Sequence, residues 1–364
     1  MNILLVRLRL IGDVVFTTPA IRGIRDRFPS ARLTYLVEPS AAPVVVGNPL
    51  LDEVLIVPYS HGLSRLATDA RLIRELRRRR FDLVLDFHGG PRSSLLAWAS
   101  GAPSRVGYAV TGRGWMYTRL VPRARTLEPR HSVENQWDLL SGIDGAAPTR
   151  PAPVTHPTTM VDDAPARDRV EAWLRARALD ERPLIVLHVS AGNAFRRWPT
   201  AHFAALVAAL AARGDRGIII TAGPSDREAA DAVRAAAALR VSSSTSAPIV
   251  TADDLGLAEL RALIARASLF IGGDSGPLHL ASTTTTPIVG LYGPTLPERS
   301  GPWRDPAYPS EAVDGGPLPC RPCHQRHCVP GDFRCLTSIR PEHVLSAAER
   351  ALARPLVAVE RHPA

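Results

Sequence analysis

Residues 268–280 read Ser-Leu-Phe-Ile-Gly-Gly-Asp-Ser-Gly-Pro-Leu-His-Leu. The apolar run 269–271 predicts a buried strand that stops at Gly272-Gly273, where the backbone can turn sharply. Pro277 suits the first position of a following helix. A helix that starts at a strand's carboxyl end offers free N–H groups and a positive dipole end, a site for a phosphate or pyrophosphate. Asp274, at the rim, would accept hydrogen bonds from sugar hydroxyls, and His279 sits one turn in, within reach of a phosphate. Ser275 and Gly276 complete the turn. The pattern points to a phosphate bearing a polyol, with an ordinary strand–turn–helix and Asp274 as its cap as the alternative.

Three further segments carry candidate chemistry. The first strand ends in Arg7-Leu8-Arg9-Leu10-Ile11-Gly12-Asp13. Asp13 is a candidate general base for an alcohol nucleophile, with a helix N-cap as the alternative. Residues 188–199, His-Val-Ser-Ala-Gly-Asn-Ala-Phe-Arg-Arg-Trp-Pro, follow another strand. There Ser190 and Gly192 bring a hydroxyl and bare backbone near a phosphate, and Arg196 and Arg197 bring charge. The run 221–226, Thr-Ala-Gly-Pro-Ser-Asp, suits ribose or base contacts through Asp226. Neither a Gly-x-Gly-x-x-Gly after the first strand nor a Walker A loop is present, which disfavours a dinucleotide dehydrogenase and a P-loop enzyme. No Asp-x-Asp pair of the kind that holds a divalent metal on a nucleotide sugar is found, so arginines and helix ends would stabilise a leaving diphosphate.

The four cysteines, Cys320, Cys323, Cys328 and Cys335, are clustered with His324 and His327 between them. The first pair has zinc-ligand spacing. A structural zinc site and a set of reduced, packed cysteines are both open readings.

Strand runs at 3–6, 33–37, 54–57 and 83–86 alternate with helices at 19–28 and 64–80. This alternation predicts a parallel, doubly wound sheet whose loops share the carboxyl edge. A proline-rich stretch from 145 onward reads as an interdomain linker. Alternation then resumes with strands at 184–187, 217–221, 269–271 and 288–291. The expected division is an N-terminal domain at 1–150, a linker and connecting helix at 151–180, a second domain at 181–353 and a tail at 354–364. The expected architecture is α/β, two Rossmann-like domains facing across a cleft.

The chain has 364 residues and a net charge of +9, and all 44 of its basic residues are arginine. Such a balance favours anionic partners: nucleic acid, an acidic membrane surface or a phosphorylated substrate. No aromatic-interleaved basic motif supports nucleic acid, and the run 77–80 reads as a solvated helix end. The longest apolar stretch, 203–212, is too short to span a bilayer. The opening Met-Asn-Ile-Leu-Leu-Val-Arg reads as a first strand and not a signal peptide, so a cytoplasmic location is expected.

Taken together, Gly12-Asp13 with Thr18-Pro19-Ala20, Arg196-Arg197-Trp198-Pro199, Gly223-Pro224, Asp274-Ser275-Gly276 with His279-Leu280-Ala281, and the Cys320–Cys335 cluster resemble glycosyltransferase family 9, the ADP-heptose:lipopolysaccharide heptosyltransferases. The cysteine cluster resembles the heptosyltransferase II branch. The resemblance implies a GT-B fold and an inverting transfer that requires no cofactor, from an ADP-heptose donor to a phosphorylated lipopolysaccharide-core acceptor. It puts Asp13 at the catalytic base and Arg196, which replaces a usual lysine, on the diphosphate. Ser190, Asp226 and Leu255 fall on hydroxyl, ribose and adenine contacts. Asp274, Ser275, Gly276 and His279 fall on the sugar-diphosphate loop. The expected location becomes the inner face of the inner membrane, held peripherally. Arg92, Arg105, Arg113, Arg119 and Arg123 are candidates for the acceptor's acidic groups. A different nucleotide sugar or acceptor on the same fold is the nearest alternative. A basic nucleic-acid-binding protein and a non-catalytic nucleotide-sugar sensor are alternatives of another class.

Overall fold

Parallel strands covered on both faces need near-continuous apolar runs, and this chain supplies them. The computed structural model describes residues 1–354 apart from 59, 61, 63, 125–127, 145–148, 242–246 and 253. The tail expected at 354–364 therefore lies, but for Arg354, outside the described residues. Two compact units divide the chain, Met1–Val161 and Asp162–Ala364.

In the first unit the order is β1 (Asn2–Val6), α1 (Ile11–Val15), α2 (Thr18–Arg27), β2 (Arg32–Val37), β3 (Glu53–Ile56), α3 (Ser64–Arg78), β4 (Leu83–Asp86), α4 (Pro91–Ala99), β5 (Ser104–Tyr108), β6 (Arg119–Val121), α5 (Ser132–Trp137) and α6 (Ser141–Asp144). The second unit runs α7 (Ala164–Arg175), β7 (Leu184–His188), α8 (Thr200–Ala211), β8 (Gly217–Thr221), α9 (Arg227–Ala238), β9 (Ile249–Ala252), α10 (Leu257–Arg266), β10 (Leu269–Gly273), α11 (Gly276–Ala281), β11 (Ile288–Tyr292), α12 (Pro297–Ser300), β12 (Ser310–Asp314), α13 (Arg334–Thr337) and α14 (Pro341–Ala353).

Each unit builds one six-stranded sheet, in the orders β3-β2-β1-β4-β5-β6 and β12-β11-β10-β7-β8-β9. Every pairing is parallel. Read from its first strand, each sheet reverses direction in the same way, between β1 and β4 and between β7 and β10. Ligands of such sheets bind outside the carboxyl ends at the reversal point. Topology alone thus selects the loops after β1 and β4 in one unit and after β7 and β10 in the other.

The core strands are buried along their length: Ile3 to Val6 in β1, Leu184 to Leu187 in β7 and Ile218 to Ile220 in β8. The helices α8, α9 and α14 pack Phe203, Leu206, Val207, Val233, Val344 and Ala348 onto one face of the second sheet. Burial of each large aliphatic side chain contributes roughly 1.5–3 kcal/mol. The stretch read as a linker is divided between the units. Thr159 N–H donates to Thr18 Oγ1 at 2.9 Å, and the His156 ring meets Trp137 edge-on at 4.6 Å. Beyond the division, Arg169 of α7 pairs with Glu259 of α10.

Candidate functional site

The loop after β1 brings Asp13 into the first turn of α1. Leu10 holds the N-cap position without a side-chain bond, so Asp13 is not the cap. Leu10 reaches that position at φ 68°, a left-handed backbone unusual for a non-glycine residue. Asp13 Oδ2 accepts from Arg7 Nη2. Arg7 is itself buried and donates through Nη1 to the Phe87 carbonyl at 2.6 Å. Asp13 in the first turn of α1 and Phe87, the first residue after β4, are thereby tied to one guanidinium. Asp13 Oδ1 has no bonding partner among the described residues, and the side chain is 30% exposed.

The loop after β4 is organised by Asp86. This carboxylate is fully buried and accepts from Tyr117 Oη at 2.6 Å, Ser93 Oγ at 2.9 Å, and the N–H groups of His88 and Gly89. Burial raises its pKa, against those bonds. His88 is pushed down to about 4, by burial first and then by the charges of Arg7 and Arg9, so it is a neutral imidazole at pH 7. Its ring lies over Gly90, where a Cβ would come within 2.6 Å.

The candidate acceptor arginines have structural duties. Arg92 pairs with Asp69 at 2.6 Å and Glu38 at 3.3 Å. Arg105 donates to the Met116 carbonyl and Arg119 to the Gly142 carbonyl. Arg113 reaches the Gly89 carbonyl at 3.3 Å. Arg123 lies over the Tyr108 ring at 4.9 Å. Arg105 and Arg119 hold backbone carbonyls, which offsets their charge locally.

In the second unit, Asp274 is not at a rim. It is 1% exposed and sits among three groups, from the loops after β7 and β11 and from helix α11. Arg196 Nη1 is 3.1 Å from its Oδ2 and also donates to its carbonyl. Thr295 Oγ1 donates to Oδ2 at 2.6 Å, and His279 Nε2 lies 3.4 Å from Oδ1. Burial alone would raise this carboxyl. The His279 hydrogen bond, the Arg196 charge and Thr295 outweigh burial and hold it at about 2. The buried Asp274 carboxylate therefore anchors Arg196 and His279 from below, and it is not exposed at a rim. Helix α11 has only six residues, with Ser275 at its N-cap and Gly276-Pro277 opening it. Gly273 precedes it, and a Cβ there would meet the Arg196 carbonyl at 3.2 Å, so the loops after β7 and β10 are in close backbone approach.

Ser190 is likewise committed inward. The Thr221 hydroxyl donates to the Leu187 carbonyl, so its oxygen accepts His188 Nδ1–H at 3.0 Å. His188 Nε2 then accepts the Ser190 hydroxyl at 3.0 Å, and Ser190 Oγ accepts Gly223 N–H at 2.9 Å. The chain requires a neutral His188, and burial pushes that ring down to about 4. Ser190 thus ties the loop after β7 to the loop after β8 and has no proton left for a phosphate. Arg197 pairs with Asp226 at 3.0 Å and donates to the Ala191 carbonyl. Leu255 lines a pocket of about 190 Å³ with Trp173, Val170 and Ala252.

The cysteine segment braces this site. Gln325 Oε1 accepts from Arg196 Nε at 2.7 Å and Asn193 Nδ2 at 3.0 Å. Arg321 donates to the carbonyls of Gly293 and Thr295 and pairs with Asp314. All four cysteines line one pocket of about 120 Å³. Cys335 is pushed up to about 11, by burial and then by Cys323, Cys320 and Cys328. Among the described residues no group of three or more His, Cys, Asp or Glu side chains stands in metal-holding geometry. The four thiols form no disulfide.

The profile of glycosyltransferase family 9 (heptosyltransferase) matches residues 70–332. The chain belongs to glycosyltransferase family 9. It is therefore a glycosyltransferase. It is 26% identical to lipopolysaccharide heptosyltransferase 3 of Escherichia coli, over 88% of this chain and 92% of that one. It is 25% identical to lipopolysaccharide heptosyltransferase 2 of Salmonella typhimurium, over 95% and 97%. Among solved structures, a family 9 glycosyl transferase from Veillonella parvula superposes with a TM-score of 0.79 at 23% identity, covering 97% of this chain and 98% of that chain. The Escherichia coli ADP-heptose heptosyltransferase II does so at 0.74 and 20%, with the same coverage. These likenesses give the family 9 chain its GT-B fold, as the sequence resemblance implied. Sequence reasoning missed Thr295, Gln325, His188 and Arg7 as site-builders. Arg7, His188 and Gln325 stood in or beside quoted motifs, but none of the four has a spacing that announces its partner.

Proposed function

We propose that this family 9 glycosyltransferase transfers a heptose from ADP-heptose to the inner core of a lipopolysaccharide, with inversion and without a catalytic metal ion. The observation that carries the reading is the Arg196–Asp274–Thr295–His279 cluster at the reversal point of the second sheet. It presents a guanidinium and an imidazole on a buried carboxylate, a pairing suited to a diphosphate. The names of the relatives in Escherichia coli and Salmonella support the sugar and the acceptor. A structural neighbour solved with ADP-2-deoxy-2-fluoro heptose supports the nucleotide.

In this reading the second unit binds the donor. Arg196, His279 and the Ser275–Gly276 turn take the diphosphate, Asp226 with Arg197 the ribose side, and Leu255 the base. Asp13 is the general base in the first unit. Arg7 holds Oδ2, which leaves Oδ1 to take the acceptor hydroxyl proton. The acceptor oxygen forms a bond to the anomeric carbon as the bond from that carbon to the diphosphate breaks. The departing electron pair goes to ADP, whose growing charge meets Arg196 and His279. Preorganised groups of this kind contribute about 2.7–4 kcal/mol each when removed from a desolvated site. Work at a glycolipid acceptor would bring the chain to the inner membrane surface. Among the described residues no helix is long and apolar enough to cross a membrane.

Release of ADP from ADP-heptose in the presence of a core acceptor tests the reading, with UDP- and GDP-sugars as competing donors. Preference for one of those sugars would replace the donor assignment. Binding of ADP-heptose without turnover on any acceptor would make the chain a sensor.

A further inference from the structure

The amino-terminal edge of the first sheet carries an apolar and cationic patch that the transfer reaction does not use. Asn2 Nδ2, at the start of β1, donates to the Arg79 carbonyl at 3.1 Å, which fixes the end of α3 at that edge. Arg77 Nε donates to the Ala99 carbonyl at 2.8 Å and so joins the end of α3 to the end of α4. On α3 a groove of about 510 Å³ is lined by Ala70, Ile73, Arg74, Arg77, Arg78 and Arg80. Arg71, Arg74 and Arg80 have no carboxylate partner among the described residues. Like charges three and four apart along a helix repel one another. Arg80 moreover adopts φ 50°, where a helix end ordinarily favours glycine.

Beside this groove, α4 exposes Trp98, and the turn before β6 exposes Trp115; the rings meet edge-on at 5.5 Å. They are 43% and 63% exposed, and Leu95, one turn before Trp98, is also open to solvent. Leu120 is exposed next to the same turn, its Cδ1 3.2 Å from where a Gly114 Cβ would stand. Two open tryptophans cost hydration unless something covers them. Tryptophan beside arginine is the composition that suits a lipid headgroup region: the ring takes the interface and the guanidinium takes phosphate.

We propose that the surface formed by α3, α4 and the turn at Trp115 docks the protein on an anionic lipid bilayer, with Trp98 and Trp115 in the interface and Arg71, Arg74, Arg78 and Arg80 on lipid phosphates. The inference rests on the proposed glycolipid acceptor for its biological sense, but its binding claim stands on the patch alone. Asp13 lies past the opposite end of β1, roughly 16 Å away for a five-residue strand. Docking on this edge therefore leaves the carboxylate on the far side of the sheet from the bilayer.

The test is co-sedimentation of the full-length protein with vesicles of phosphatidylcholine alone and of phosphatidylethanolamine with one quarter phosphatidylglycerol. Binding is expected to the second only, to fall with salt, and to shift the tryptophan emission to the blue. Each arginine near the surface supports about five-fold in partitioning, so the double variant Arg74→Glu, Arg78→Glu should lose more than ten-fold. Trp98→Ala with Trp115→Ala should lose the blue shift. In parallel, ADP release is measured with a delipidated core acceptor, which these variants should turn over as the parent does. Unchanged vesicle binding in both variants would overturn the proposal, as would equal binding to neutral vesicles or a preference for duplex nucleic acid over the anionic vesicles. Loss of ADP release in the parent would strike the proposed function and leave the docking surface standing.

Discussion

Arg196→Ala should destabilise the second unit as well as weaken nucleotide binding, because the guanidinium is a counterion for a buried carboxylate. Asp274 is held at about 2, against roughly 3.9 in an unfolded chain, and that difference is worth about 2.5 kcal/mol at neutral pH. Arg196 supplies part of it, beside His279 and Thr295. Breaking a buried pair costs about 3–5 kcal/mol when the remaining charge is stranded. Here two partners remain and Arg196 is 31% exposed, so water can enter. About 1–3 kcal/mol is therefore expected at pH 7. The folded pKa lies below the unfolded one, so this stability is present above pH ~4 and is lost as pH falls through about 2. Urea unfolding of Arg196→Ala, Asp274→Asn and the double variant should show a coupling of at least ~1 kcal/mol at pH 7 that shrinks toward pH 2. Arg197→Ala should cost under about 1 kcal/mol, since its pair with Asp226 is partly exposed. Titration of ADP should weaken more in Arg196→Ala than in Arg197→Ala. Additive single variants, or a penalty that does not change with pH, would refute the counterion argument. If Arg197→Ala loses the more affinity for ADP, the diphosphate contact belongs to Arg197.

Asp13→Asn should lower transfer about 100- to 10,000-fold while ADP affinity stays near that of the parent. Near-normal turnover would reduce Asp13 to a partner of Arg7. His188 lies below its unfolded value, at about 4, so its neutral form stabilises the fold above pH ~6.5. About 3 kcal/mol is then lost as pH falls from 6.5 to 4. An NMR titration of His188 near 6.5 would contradict the Ser190–His188–Thr221 chain. Transfer should persist in EDTA, because Arg196 and His279 are assigned to the leaving diphosphate; strict dependence on added magnesium or manganese would overturn that assignment.

The fold was largely legible because parallel strands buried on both faces write themselves as uninterrupted apolar runs, such as 184–187 and 217–221. The strands missed from sequence were β5, β6, β9 and β12, three of them at or near a sheet edge. β12 (Ser310–Asp314) is a half-exposed edge with polar residues. β6 has three residues and β9 (Ile249–Ala252) is half-exposed, both at a sheet edge, while β5, inside its sheet, opens with Ser104-Arg105 and has only a short apolar end. Edge strands are held by backbone pairing to a neighbour, which side-chain pattern does not record.

By itself the sequence determined the family, the doubly wound units and the loops that carry Asp13, Arg196, Asp226 and Asp274. Local turn chemistry and strand ends are properties of neighbouring residues, so a linear reading reaches them. What a side chain does inside its loop was decided only by tertiary structure. Asp274 read as a sugar contact became a buried anchor once Thr295, from 21 residues on, and Arg196, from 78 residues back, closed over it. Ser190 read as a phosphate ligand spent its proton on His188, and Gln325 joined the cysteine segment to the Arg196 loop. The physical reason is that a hydrogen-bonding group serves whichever partner reaches it first in three dimensions. That partner is set by which loops meet at the carboxyl edge of the second sheet and not by distance along the chain.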